Sequence, residues 1–240
     1  MNDRFYINFF SRVYWLHPVV TRLENTSNQA LKKRYREHWS AKDSELGRLA
    51  LAIETKLSKL PAVVDAVNRD VRALDDELRE RRLEVDECIE RESGIRLRND
   101  ELGLSLAANI ESFLYHAQSA YELVMRFLIA FSRRIIKKPC SEAEIKIALS
   151  NAGGATGWID ALRKDRDLTA HETALWCDLR KTKDEPRCYE ILIAEIHSVN
   201  PANHRPLSQY TAVYGEFIKS LEKLRGLLFQ QIAEASDGGD

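Results

Sequence analysis

Only 10 glycines and 6 prolines punctuate the 240 residues of this chain. So few breakers leave little material for the many turns of a sandwich or barrel built from short strands. Cysteine is also sparse: Cys88, Cys140, Cys177 and Cys188. No two of them stand as C-x-x-C, so neither zinc nor redox spacing is present, and free thiols in a reducing compartment are expected. No run of about 18 consecutive apolar residues occurs, so no membrane-spanning helix is expected. Arg12 and His17 interrupt the apolar stretch near the N-terminus, which does not read as a secretory leader. The expected location is therefore the cytoplasm. An excess of charge of either sign is missing too, with 36 basic residues against 37 acidic ones. That excludes bulk polycation binding and restricts any nucleic-acid site to a local patch.

What remains is 44% hydrophobic and 30% charged, a balance typical of long amphipathic helices. The expected fold class is all-α: a helical bundle with long antiparallel helices and room for one small β-hairpin insertion. Three segments suggest themselves. Residues 1–40 form an N-terminal helical segment. Residues 42–98 form a long coiled-coil-like arm, and 99–236 a helical bundle, the three together reading equally well as one continuous domain. In the first segment, Phe5, Tyr6, Phe9, Phe10, Val13 and Trp15 recur at helical spacing and predict a helix that ends before Pro18. Lys32, Lys33, Arg34 and Arg36 are interleaved with Tyr35, His38 and Trp39. Basic and aromatic residues together can grip RNA. A solvated helix face anchored by two aromatics accounts for the run more simply.

In the second segment Leu57, Leu60, Val64, Val67, Val71, Leu74 and Leu78 alternate steps of three and four, an a/d seam that must pair with another helix of this chain or of a second copy. Pro61 must start a new helix there or bend the existing one. The third segment opens with a long helix over 100–136. Its stripe runs through Leu102, Leu106, Ile110, Phe113, Leu114, Ala117, Tyr121, Val124, Phe127, Leu128 and Phe131. Arg133, Arg134, Lys137 and Lys138 suit the negative end of that helix or, less simply, catch phosphates. Ser141 and Glu144 form a capping box for a short helix that stops at Gly153-Gly154. The double glycine lacks the Lys-Ser/Thr of a phosphate loop. Residues 189–197 read as a strand or as a buried helical turn, and a last helix runs from about Leu207 to Ala235.

The stretch with the most chemistry is 163–172, Arg-Lys-Asp-Arg-Asp-Leu-Thr-Ala-His-Glu. Thr169 is a good N-cap and Glu172 stands three residues on, which predicts a helix opening there, with Leu175, Trp176 and Leu179 as its inner face. His171 then lies in the first turn and Arg166 just ahead of it. In mid-helix the two would lie about 140° apart around the axis; at a helix start they can share a cleft. The positive helix end opposes protonation of His171 and keeps its imidazole able to accept a proton.

Arg166, Asp167 and His171 together resemble the R-x4–6-H signature of the HEPN superfamily, in which a polar residue typically follows the arginine. The resemblance implies a metal-independent endoribonuclease with no cofactor. His171 would be the general base on the RNA 2′-hydroxyl, and Arg166 the cation that neutralises the phosphoryl charge. It implies a homodimer, with a composite site across the two-fold. It also implies a toxin or phage-defence setting with an antitoxin or defence partner. A supporting carboxylate on the long helix would be Glu122 or Glu111, beside Asp167, Thr169 and Glu172 nearer the motif. The alternative is a non-catalytic HEPN-like scaffold that binds a nucleotide, RNA or a protein. A di-iron bundle would need Glu-x-x-His pairs, and the sequence has none.

Overall fold

In the computed structural model of this protein, Pro18 opens a helix. Helix α1 (His17–Glu24) carries the proline in its first turn, where the missing N–H removes no helical bond. The sequence expectation had a helix ending ahead of it; most of that segment lies outside the described residues, which are 15–91, 93, 97–99, 101–163, 175–181, 189–195 and 204–237. After α1 come α2 (Gln29–Tyr35) with a π-helical turn (Arg36–Ser40), α3 (Glu45–Glu80), α4 (Arg82–Glu90), and α5 (Leu102–Phe131) with its own π-helical turn (Ser132–Ile136). Then follow α6 (Glu142–Asn151), α7 (residues 157–163), β1 (Leu175–Lys181), β2 (Tyr189–Glu195), β3 (Arg205–Pro206) and α8 (Leu207–Asp237). The chain is a mainly helical protein with one small antiparallel sheet, the class its composition predicted.

Contacts group the chain into two compact units, one of Met1–Lys59, His116–Asp160 and Gly215–Asp240, the other of Leu60–Tyr115 and Ala161–Tyr214. The division falls inside α3, α5, α7 and α8, so each unit draws on distant stretches rather than on a consecutive segment.

In the first unit, Trp39 sits edge-on to Phe127 (5.0 Å between ring centres) and to Phe131 (6.1 Å). Such edge-to-face pairs add about 0.5–1.5 kcal/mol each beyond the area they bury. Tyr35 and Trp39 are buried while Lys33 and Arg36 are exposed, the anchored solvated face expected of this run. Trp158 packs between Tyr121 and Phe217, and its indole N–H donates to Ala155 O (2.9 Å) and Ser220 Oγ (3.1 Å). Helix α6 carries the full Ser141/Glu144 capping box. Just past its end Gly153 takes a left-handed φ of 72°, and a Cβ on Gly154 would stand 2.9 Å from Leu149 O.

The incoming chain is tied down by Glu54 on α3, whose carboxylate accepts Leu16 N–H (2.8 Å) and Trp15 N–H (3.3 Å). It thereby satisfies donors that α1 itself leaves open.

In the second unit, Asp70 on α3 accepts from Ser105 Oγ (2.8 Å) and Asn109 Nδ2 (2.7 Å) on α5. Arg98, just ahead of α5, pairs with Glu80 near the end of α3 (2.8 Å), so the two helices run antiparallel here. The seam read over 42–98 is buried within this chain at both ends, through Leu46, Ile53, Leu57 and Leu60 and then Leu74 and Leu78. Val64, Val67 and Val71 between them are only half-buried. Helix α3 continues through Pro61, which is exposed.

The sheet has the order β1-β2-β3. Central β2 buries Ile191, Leu192, Ile193 and Ala194 in succession, so both of its faces are covered.

The strand β1 corrects one expectation. Leu175, Trp176 and Leu179 do not line a helix; they pair with Glu195, Ala194 and Ile191 across an antiparallel ladder. Their spacing of one and three satisfies a helical period. The partner strand that decides otherwise is more than ten residues away.

Burial holds the Glu54 carboxyl above its ordinary value, although the two N–H donors pull the other way. A raised acid contributes stability below its unfolded pKa and loses it as the pH climbs through the folded value. The expected outcome is that the stability difference between wild type and Glu54→Gln is greatest in acid and shrinks as the pH rises above 4.5. Urea midpoints measured across that range check it, and a pH-independent difference would contradict it.

Candidate functional site

Two anchored elements bracket the stretch that carries the candidate chemistry. Upstream, α7 is seated by Trp158, Ile159 and Leu162, all buried, and ends at Arg163, three residues before Arg166. Downstream, β1 begins at buried Leu175, four residues after His171. Arg166, Asp167, Thr169, His171 and Glu172 themselves lie outside the described residues, as does the predicted helix opening at Thr169.

The downstream anchor is electrostatic as well as apolar. Glu111 on α5 accepts the backbone N–H of Leu175 at 2.9 Å. An N–H at a buried strand start has no ladder partner of its own on that side, and a carboxylate is a strong acceptor for it. The place for Glu111 follows from α5: Ile110, Phe113 and Leu114 turn inward, leaving Glu111 half-buried at the edge of the stripe.

The sequence had offered Glu122 or Glu111 as supports. Glu122 is exposed and accepts from Gln118 Nε2 (2.8 Å), a local i,i+4 bond on its own helix. Glu111 belongs to the same unit as the motif stretch and touches the chain just beyond it.

Two further groups lie on or beside β1. Cys177 on β1 places its Sγ 3.6 Å from the carbonyl of Gly103. Burial, with the charge of Asp70 adding to it, pushes the thiol up to about 12, so it is no nucleophile at neutral pH. His204 Nδ1 lies 3.1 Å from Asp178 Oδ2, with the histidine side chain 8% exposed. Sequence reading did not single out this pair. The signal lay in the sheet order: Asp178 pairs with Leu192, and Leu192 with Pro206, which brings the residue before β3 across to β1.

On α5, in the first unit, His116 is half-buried and its pKa lies below the ordinary histidine value, because burial penalises the cation and Lys56 and Lys59 oppose it. It is an interior histidine kept neutral. Among the described residues no group of three or more His, Cys, Asp or Glu is placed to hold a metal ion.

Two outcomes are expected. Glu111→Ala leaves the Leu175 N–H without its acceptor and costs about 1–3 kcal/mol, while Glu111→Gln, which keeps a carbonyl oxygen there, costs less. Denaturant unfolding, together with faster hydrogen exchange at Leu175, measures this. Iodoacetamide at pH 8 should leave Cys177 unmodified in the native protein and alkylate it only in denaturant; mass spectrometry of the peptides reads the result.

Comparison with known protein families, with curated proteins and with solved structures finds no match to this chain.

Proposed function

We propose that this protein is a HEPN-type, metal-independent endoribonuclease whose reacting groups are Arg166 and His171. The observation that carries the proposal is the setting of the stretch. In a mainly helical chain it lies between a buried helix and a strand whose first amide is held by a carboxylate of the long helix α5.

The chemistry then follows from the two residue types. The RNA 2′-hydroxyl attacks the adjacent phosphate, and its proton passes to the neutral imidazole of His171. The 5′-oxygen leaves and a 2′,3′-cyclic phosphate remains. Arg166, permanently charged, bonds the non-bridging oxygens as negative charge accumulates on them. A second copy of the chain supplies a second His171 to protonate the leaving oxygen, which makes the working form a homodimer. The biological role is that of a toxin or phage-defence effector held in check by a partner protein. Among the described residues no helix is long and apolar enough to cross a membrane.

The test is cleavage of single-stranded RNA in EDTA. Wild type should yield 2′,3′-cyclic ends, and His171→Ala should lower the rate by about 10²-fold or more, the range for a lost general base. Arg166→Lys keeps the charge but loses the bidentate fork, and should retain only a minor fraction of the activity. The pH–rate profile should be bell-shaped, because one His171 must be neutral to accept a proton while the other must be protonated to donate one. Absence of any cutting would favour a scaffold that binds RNA or a partner without reacting, and undiminished cutting by His171→Ala would refute the site.

A further inference from the structure

The first unit brings together two basic runs that lie about a hundred residues apart in sequence. Helix α2 and its π turn carry Lys32, Lys33, Arg34 and Arg36. The π turn that ends α5, and the two residues after it, carry Arg133, Arg134, Lys137 and Lys138. Helix α2 packs directly against that second π turn. The contact continues at the end of α2, where Trp39 seats on Phe127 and Phe131 of α5. With Tyr35 and Trp39 of the first run and Ile135 and Ile136 of the second turned inward, the cations are left on the outside. Lys33, Arg36, Arg133, Lys137 and Lys138 are exposed.

Few of these charges are answered within the chain. Lys33 faces Glu37 at 3.9 Å and Lys138 faces Glu234 at 3.9 Å, both in solvent, and Arg134 pairs with Glu45. Lys32, Arg34, Arg36, Arg133 and Lys137 make no ion pair among the described residues. Eight cations thus face three carboxylates in a chain whose net charge is −1. Such a local excess, on a protein neutral overall, calls for an anionic partner.

We infer that this surface docks the phosphodiester backbone of a nucleic acid. Half of its cations are arginines, whose planar fork matches phosphate oxygens. A membrane surface fits less well, because lipid binding needs exposed apolar side chains beside the cations. None of the large exposed hydrophobic residues lies in either run; the nearest in sequence are Leu51 and Ile147. Tyr35 and Trp39 are each only 7% exposed, so neither of these rings is free to stack on a base. The surface therefore reads charge and not sequence, and its grip depends on salt. It goes beyond the proposed catalytic residues, which belong to the other unit.

Binding of fluorescein-labelled U20 RNA to the full chain, followed by anisotropy, tests the inference. A His171→Ala background separates binding from any cutting. The affinity should fall steeply between 50 and 200 mM KCl, at roughly 0.7 in log K per log salt for each phosphate engaged. It should be the same within about threefold for A20. Arg133→Ala/Lys137→Ala should weaken binding at least tenfold and flatten the salt slope by about one. Should that variant melt earlier than its parent, Lys33→Ala/Arg36→Ala reads the same surface from the other run. Arg69→Ala/Arg72→Ala, exposed cations of the second unit, should change affinity less than twofold. Equal loss from all three pairs, no loss from either patch pair, or tighter binding to phosphatidylserine vesicles or polyglutamate than to U20 would overturn it. Tight, patch-dependent binding without cleavage by the wild type would leave this surface standing and remove the ribonuclease reading.

Discussion

The apolar stripe of α5 is the constraint from which the other elements take their positions. From Leu102 to Phe131 nearly every inward residue is buried, eleven of them matching the stripe readable in the sequence. A helix so apolar must be covered on several sides. In the first unit the coverers include Trp39 and Trp158, whose ring contacts reach Phe127, Phe131 and Tyr121. In the second they include the start of β1, fastened by Glu111 and by the Cys177 contact to Gly103. Loss of large side chains from such a stripe removes both transfer energy and packing, about 3–5 kcal/mol for an aromatic.

Polar groups then decide what the stripe cannot. Hydrophobic burial is not directional, so it gives adhesion without register. Register comes from a few carboxylates placed at chain ends. Glu54 receives the amides that lead into α1, Asp70 joins α3 to α5 through Ser105 and Asn109, and Glu111 receives the first amide of the sheet. Glu54 and Glu111 accept backbone amides that regular structure leaves open, at a helix start and a strand start, whereas Asp70 accepts from two side chains of α5. A carboxylate at the strand start also fixes the chain four residues beyond His171, which is why a bond of structural type bears on the proposed chemistry.

Much of the fold was legible. The long helices α3, α5 and α8 announce themselves by 3.6-residue periodicity, and Ser141 with Glu144 marks the start of α6 to the residue. Other features were not. The pattern at Leu175, Trp176 and Leu179 satisfies a helix as well as a strand, and only the ladder to β2 separates them. That Pro18 begins a helix was not read from the sequence, although a first-turn proline is favourable and α1 uses it so. Of the candidate site, Glu111 and Glu122 were equal on sequence. They differ in burial and in what lies opposite: half-buried Glu111 meets the Leu175 amide, and exposed Glu122 its own helix neighbour Gln118. The pairing of His204 with Asp178 was hidden, since it depends on β3 crossing beside β2.

The chain's local chemistry therefore specified which stretches are helical, which face of each is apolar, and which residue types stand ready for proton and phosphate chemistry. Periodicity and capping act over a few residues and need no knowledge of the rest. Tertiary structure alone decided that two basic runs about a hundred residues apart become neighbours, that a carboxylate in mid-helix serves a distant strand, and that one ambiguous segment is β. These depend on contacts between residues far apart in sequence, whose energies no local pattern contains.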